Sequence, residues 1–196
     1  PLNWTAAVSR LAPGYTPDLN GPQNANVDTL GRTRQRVTGI SNILDVNLGG
    51  ADLTSVTAYR GLWFRPQNDL DLTPLPAWHT GFDVDVDQYS QELRLASRTG
   101  GKTDWQAGIY YLHEDLVSDN QNRFYSGASA WYRIPAYTGL APTSAALNGL
   151  TASRRGKITV DSGALFAQIT HHLTDRFNIT GGARYTRERK KLDVIG

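Results

Sequence analysis

The stretch Gln88-Tyr89-Ser90-Gln91-Glu92-Leu93-Arg94-Leu95, followed after Thr99-Gly100-Gly101-Lys102 by Trp105-Gln106-Ala107-Gly108-Ile109-Tyr110-Tyr111, decides the fold. In its first half Tyr89, Gln91, Leu93 and Leu95 alternate with Gln88, Ser90, Glu92 and Arg94. In its second half Trp105, Ala107, Ile109 and Tyr111 alternate with Asp104, Gln106, Gly108 and Tyr110. Alternation with period 2 marks a strand with one apolar and one polar face, where an amphipathic helix would repeat every 3.6 residues. The glycines between the halves supply a tight turn, so 87–117 reads as one antiparallel hairpin. Each arm is about a dozen residues long, about twice the ~5–6 common in soluble sheets. That length and two-faced character suit a strand crossing a bilayer, with lipid outside and a polar lumen inside.

Composition agrees with this reading. The chain has 196 residues, 39% of them hydrophobic, and a net charge of +2. No run approaches the ~20 apolar residues of a membrane helix, which excludes a helical membrane protein but not a barrel. Only alternate residues of a barrel strand face lipid, so a mean hydropathy of −0.43 is compatible with one. Cysteine is absent, which removes disulfides, thiolate metal sites and a thiol nucleophile. The weak net charge gives no support for a nucleic-acid partner. The chain opens at Pro1 without a charged-then-apolar leader and stops at Gly196 in mid-pattern, so it is read as an internal segment.

Working outward, residues 1–35 are rich in Pro, Gly, Asn and Thr without a sustained period, and read as an extracellular loop-like segment. The rest, 36–196, reads as a partial outer-membrane barrel of three hairpins, 36–65, 87–117 and 161–190, separated by long loops 66–86 and 118–160. In the first arm Ile40, Leu44, Val46 and Leu48 share a face, and Gly49-Gly50 turns the chain. In 52–65 both faces are partly apolar, and the face carrying Val56, Ala58, Leu62 and Phe64 is taken as lipid-facing over that of Leu53, Tyr59 and Trp63. In the last hairpin Leu165, Ala167 and Ile169, then Phe177, Ile179, Ala183 and Tyr185, form the apolar face. Connections running short, long, short, long, short match the turn-and-loop asymmetry of outer-membrane barrels. A soluble domain rarely holds an unstructured loop beyond ~12–15 residues. Trp105 and Phe177 near the turns, with Tyr111 and Tyr185 further along the same faces, fall where two aromatic girdles would lie. The expected fold is all-β: an antiparallel meander of about six long strands in an open, curved sheet with little helix.

At this level the sequence resembles a family. Ser90-Gln91-Glu92-Leu93-Arg94-Leu95-Ala96-Ser97 with Trp105-Gln106-Ala107-Gly108-Ile109-Tyr110-Tyr111 is similar to barrel strands of TonB-dependent outer-membrane receptors. So are Leu53-Thr54-Ser55-Val56-Thr57-Ala58-Tyr59-Arg60, Leu173-Thr174-Asp175-Arg176-Phe177 and Gly181-Gly182-Ala183-Arg184-Tyr185. The resemblance covers about 36–190. It implies a 22-stranded barrel in the outer membrane of a Gram-negative bacterium. It also implies a plug domain upstream that couples to the TonB system, and import of ferric siderophores or another scarce solute. The alternatives are a passive porin or adhesin barrel and, less favoured, a soluble β-rich secreted enzyme. No nucleophile elbow, phosphate loop or ligand-spaced cluster supports the enzyme.

Three groups of residues are candidates for sites. Glu92, Arg94, Gln106, Tyr110, Glu114 and Arg184 fall on the lumen face, where they would line the solute path, meet the plug, or pair across strands. Phe124, Tyr125, Trp131, Tyr132 and Tyr137 form an aromatic loop suited either to gripping an apolar ligand or to packing on itself. Arg32, Arg34 and Arg36, with Arg187, Arg189 and Lys191, continue the lipid faces of the first and last strands past the expected girdle. There they would meet lipopolysaccharide phosphates or form a solvated rim, while Asp83, Asp85 and Asp87 interrupt the belt. His171-His172 with Asp175 is the remaining cluster. Adjacent strand residues point to opposite faces, so the two imidazoles cannot share an ion, and no cofactor or metal is expected.

Overall fold

The computed structural model describes residues 4–16, 27–98, 100–132 and 146–195. Six strands follow one another: β1 (Arg32–Asn47), β2 (Ala51–Asp69), β3 (Trp78–Ser97), β4 (Thr103–Phe124), β5 (Thr151–Thr174) and β6 (Phe177–Ile195). They form one open antiparallel sheet whose spatial order is the chain order, the meander that the hairpin pattern predicts. Among the described residues helix is confined to α1 (Trp4–Leu11) and α2 (Ala128–Trp131), and no helix is long and apolar enough to cross a membrane. Gly49 and Gly100 turn the first two hairpins at φ of 86° and 104°, a region open to glycine at no steric cost.

The register assigns the faces. Residues directly opposed in antiparallel strands share a face, and one row of partners runs Leu44, Ser55, Leu93, Ile109, Leu165, Tyr185 across all six strands. The adjacent row on the other face runs Asp45, Thr54, Arg94, Gly108, Phe166, Arg184. On β5 the second face holds Val160, Ser162 and Ala164 at 8, 7 and 6% exposure, while Leu165 and Ile169 on the first face stand at 59 and 55%. Side chains in a single-layer sheet crowd one another on its concave side and splay on its convex side. The apolar face is therefore convex and the polar one concave.

This register corrects the reading of β2. Leu53, Tyr59 and Trp63 pair with Leu95, Tyr89 and Asp85 and so lie on the convex face; Val56, Ala58, Leu62 and Phe64 lie on the concave one, opposite Glu92, Ser90, Val86 and Val84. The cause is an inversion of polarity along the strands. Towards the long connections the concave face becomes apolar, with a paired row Val37, Leu62, Val86, Leu116, Ile158, Leu192. The neighbouring convex row there reads Arg36, Trp63, Asp85, Val117, Lys157, Asp193. Leu62 and Phe64 belong to this inverted zone, so counting them as lipid contacts chose the wrong face.

The same inversion explains why the strands outrun their expected ends. Phe82, Val84 and Val86 alternate with Asp83, Asp85 and Asp87 as cleanly as any strand, only in opposite phase. The loop expected at 66–86 shrinks to 70–77, and β4 and β5 take up 118–124 and 151–160 of the loop expected at 118–160; β1 begins within 1–35, a segment that also holds α1, and β6 continues past 190. Pro66 is accommodated because the β2–β3 pairing skips its position, where no backbone N–H is required. A strand such as β3, with 20 residues, rises about 50 Å at ~3.3 Å per residue and a tilt near 40°, about twice the ~25 Å apolar band of a barrel. The sheet has one half with its apolar side chains on the convex face and one built like a soluble sheet, with them on the concave face.

Aromatic placement fits a tilted sheet. Tyr111 pairs through Gly163 with Arg187, one alternate position beyond Tyr185. Trp105 pairs through Ile169 with Gly181, two alternate positions beyond Phe177. Both girdles step the same way across the register, as the stagger of a closed barrel requires if they are to stay level.

Candidate functional site

The concave wall gathers the lumen candidates. Glu92, Arg94, Gln106, Tyr110, Glu114 and Arg184 all lie on it, since Glu92 opposes Tyr110, Arg94 opposes Gly108 and Arg184 opposes Phe166. Two of these residues, Tyr110 and Arg184, join Phe166 in a contact that spans β4, β5 and β6. The Arg184 guanidinium lies 5.8 Å from the Tyr110 ring centre and 5.9 Å from that of Phe166, within cation–π range. Its Nε donates to Thr186 Oγ1 at 3.1 Å, which fixes the side chain's direction. Phe166 and Gly108 complete the cluster and were not singled out by sequence pattern. The available signal was a glycine inside a strand, which marks close approach by a neighbour.

At the turn end of the wall His172 sits between Asn178 (2.9 Å) and Asp104 (2.8 Å). His171 faces the convex side and meets Thr103 at 2.8 Å. The two imidazoles have separate partners on separate faces, so they form no common site.

At the other end lie aromatic residues from the end of β4 and from the β4–β5 connection. Phe124 stacks on Trp78 at 6.0 Å, and Tyr132 tilts against both rings at 5.5 Å from Trp78 and 5.9 Å from Phe124. Trp131 is buried with Ala7, Val8 and Ala77 under α1, and Tyr125 packs on His79 at 4.5 Å. Arg10 of α1 donates to the carbonyls of Ala130 (3.1 Å) and Trp131 (2.8 Å). Burial pushes the Tyr132 phenol up to about 12, so it stays neutral at any physiological pH. Trp131 and Tyr132 thus join a small core with α1, Phe124 touches it through Tyr132, and Tyr125 packs apart from it on His79; Tyr137 lies outside the described residues.

On the convex face beyond Tyr89 and Tyr111 most acidic residues are satisfied locally, while Asp119 Oδ1 is buried without a hydrogen-bond partner among the described residues. Arg65 reaches Asp83 at 3.1 Å and Asp85 at 2.7 Å, and Tyr59 donates to Asp87 at 2.6 Å. Asp161 accepts from Tyr111 at 2.9 Å and lies 2.8 Å from His113, while Asp115 accepts from Thr159 at 2.7 Å and Lys157 at 3.2 Å. Lys191 pairs with Asp193 at 2.9 Å. Arg32, Arg34, Arg36, Arg187 and Arg189 have no ion-pair partner among the described residues. Arg187 and Arg189 flank a shallow groove of about 340 Å³ with Tyr111, Asp161 and Gly163.

A convex apolar band between aromatic girdles, a polar concave wall and long connections at one end are the parts of an outer-membrane barrel. The sequence matches the family model described as TonB dependent receptor-like, beta-barrel, over residues 2–194. The chain belongs to that family. No curated relative matches in sequence. Among solved structures, the ferric yersiniabactin uptake receptor FyuA from Yersinia pestis superposes with a TM-score of 0.57 at 16% identity, over 83% of this chain and 24% of that one. The ferric citrate transporter FecA, in its unliganded form, aligns at a TM-score of 0.48 and 11% identity, over 84% of this chain and 22% of that one. The chain therefore spans about a quarter of the length of these structures, and its six strands match a segment of a TonB-dependent barrel.

Proposed function

We propose that this TonB-dependent barrel segment forms part of the wall of an outer-membrane receptor that imports a ferric siderophore or another scarce solute. The long-connection end faces the cell exterior, and a plug outside this chain couples the barrel to TonB. The observation that carries the reading is the division of the concave face. Its inner zone is polar, with Arg94, Gln106, Tyr110 and Arg184, while its outer zone is the apolar row from Val37 to Leu192 under the Trp78–Phe124–Tyr132 cluster. Such a mouth suits a solute with apolar or aromatic parts, which then passes a wall lined by hydrogen-bonding groups. FyuA's ferric yersiniabactin uptake agrees with this choice of solute class. Deleting the gene for the full-length receptor should abolish uptake of its labelled ferric siderophore in iron-limited cells, and the intact gene should restore it only where TonB is present. Restored uptake without TonB would instead indicate a passive barrel.

The basic convex rim extends this proposal to lipid. Arg187 and Arg189 beside the groove, with Arg32, Arg34 and Arg36 on β1, offer bidentate donors to lipopolysaccharide phosphates. At the acidic interruption Asp83 and Asp85 share the single charge of Arg65, so there the phosphates would need divalent cations as bridges. Replacing Arg187, Arg189 and Lys191 with Gln in the full-length receptor should reduce co-purifying lipopolysaccharide and its thermal protection. Unchanged values for both would reject the contact.

A further inference from the structure

We infer that Asp28, Asp69 and His79 form a zinc site at the loop end of the barrel. The three come from segments that the fold has already tied together. Asp69 and His79 are paired across the ends of β2 and β3, so their side chains leave the same face of that pair. Asp28 is held beside them through its own backbone, whose N–H donates to the Thr73 carbonyl at 3.0 Å. Asp28 Oδ1 lies 2.7 Å from His79 Nε2, and one ligand atom from each of the three residues falls within 4.8 Å of the others.

Asp69 supplies the independent sign of a missing ligand. The residue is only 5% exposed. Its Oδ1 accepts the backbone N–H groups of Asp71 (3.0 Å) and Leu72 (3.1 Å), while its Oδ2 is buried and has no hydrogen-bond partner among the described residues. A buried acceptor without a partner is destabilising, and more so when it is ionised. A cation at this point would give the orphaned oxygen a partner and offset the crowding of carboxylates.

The donor set selects the ion. One imidazole nitrogen and two carboxylate oxygens suit zinc, whereas calcium and magnesium are bound through oxygens. Zinc bonds of about 2.0–2.2 Å hold tetrahedral ligands about 3.4 Å apart, a spacing that atoms within 4.8 Å of one another reach by small side-chain rotations, with the Asp28–His79 hydrogen bond opening around the ion. Water would complete the shell, since His79 also lines a cleft of about 530 Å³ that gives an ion its route. Bound zinc would tie the segment before β1 to the β2–β3 connection, in which Leu72 is held at a φ of 57°.

The test uses the full-length receptor in detergent, stripped with chelator and titrated with zinc against a chromogenic indicator. Wild type should take up one more equivalent than His79→Gln. Asp69→Asn, which keeps the Oδ1 acceptor, should weaken that equivalent about tenfold or more, as expected when an anionic ligand becomes neutral. Cobalt in place of zinc should give the visible absorption of a tetrahedral site in wild type and not in His79→Gln. Heat-modifiable migration on gels confirms that each variant remains a folded barrel; should Asp69→Asn fail this check, His79→Gln and the cobalt spectrum decide alone. Equal zinc uptake by wild type and His79→Gln, no saturable uptake by wild type, or uptake of calcium but not zinc would each overturn the site.

Discussion

Leu93→Arg or Ile109→Arg in the full-length receptor is expected to cost about 2–4 kcal/mol of barrel stability in a bilayer, and Gln106→Arg distinctly less. Leu93 and Ile109 are opposed to each other on the convex face, within an apolar patch completed by Leu53, Leu95, Ala107 and Leu165. They sit between the girdle marked by Trp105 and that marked by Tyr111, where a guanidinium would meet hydrocarbon near the midplane. Gln106 points to the concave side and opposes Ala96 and Gln168, where a cation keeps access to water. Equilibrium unfolding from lipid vesicles measures the difference, with heat-modifiable gel migration as a second readout. Equal losses at all three positions would show that the two faces do not meet different solvents, and the assigned register would fall.

How far the sequence alone reaches is clearest from β2 and β3. Around Leu93 and Ile109 a single alternation marks both the strands and the lipid face, because lipid on one side and a polar lumen on the other impose opposite chemistry at every step. That solvent contrast reverses beyond the girdle. Asp83, Asp85 and Asp87 face outward there, and Phe82, Val84 and Val86 inward, so a pattern sought in one phase reads strand as loop and places Leu62 and Phe64 on the wrong side. A test for alternation in either phase would have recovered these extensions. The aromatic residues from Phe124 to Tyr132 were visible as a group, but their packing on α1 and Trp78 depends on contacts far apart in the chain that no local period encodes. The cluster of Asp28, Asp69 and His79 was invisible for the same reason: its members are brought together only by the β2–β3 register and one backbone hydrogen bond.

Gly108→Ala should destabilise the barrel by about 1–3 kcal/mol, although it adds only a methyl group. A Cβ at this position would run into the Phe166 ring, at 2.9 Å from its Cε1 and closer still to its Cζ, and would lie 2.7 Å from the Leu93 carbonyl oxygen. The ring can turn aside, but the carbonyl belongs to the neighbouring strand β3 and moves only with the sheet. Turning the ring also disturbs Arg184, which lies over Phe166 and Tyr110 together. Gly181 provides the control. It lies on the convex face, and a Cβ there would meet nothing within 4 Å, so Gly181→Ala should be neutral or slightly stabilising because it restricts the unfolded chain. The double variant Gly108→Ala, Phe166→Ala separates the two clashes, since contacting residues couple non-additively. Measured against Phe166→Ala alone, the double variant should show only the part of the loss due to the backbone carbonyl. Urea midpoints of the refolded receptor give all four values, and a Gly108→Ala midpoint equal to that of Gly181→Ala would show that no close approach exists at this point of the wall.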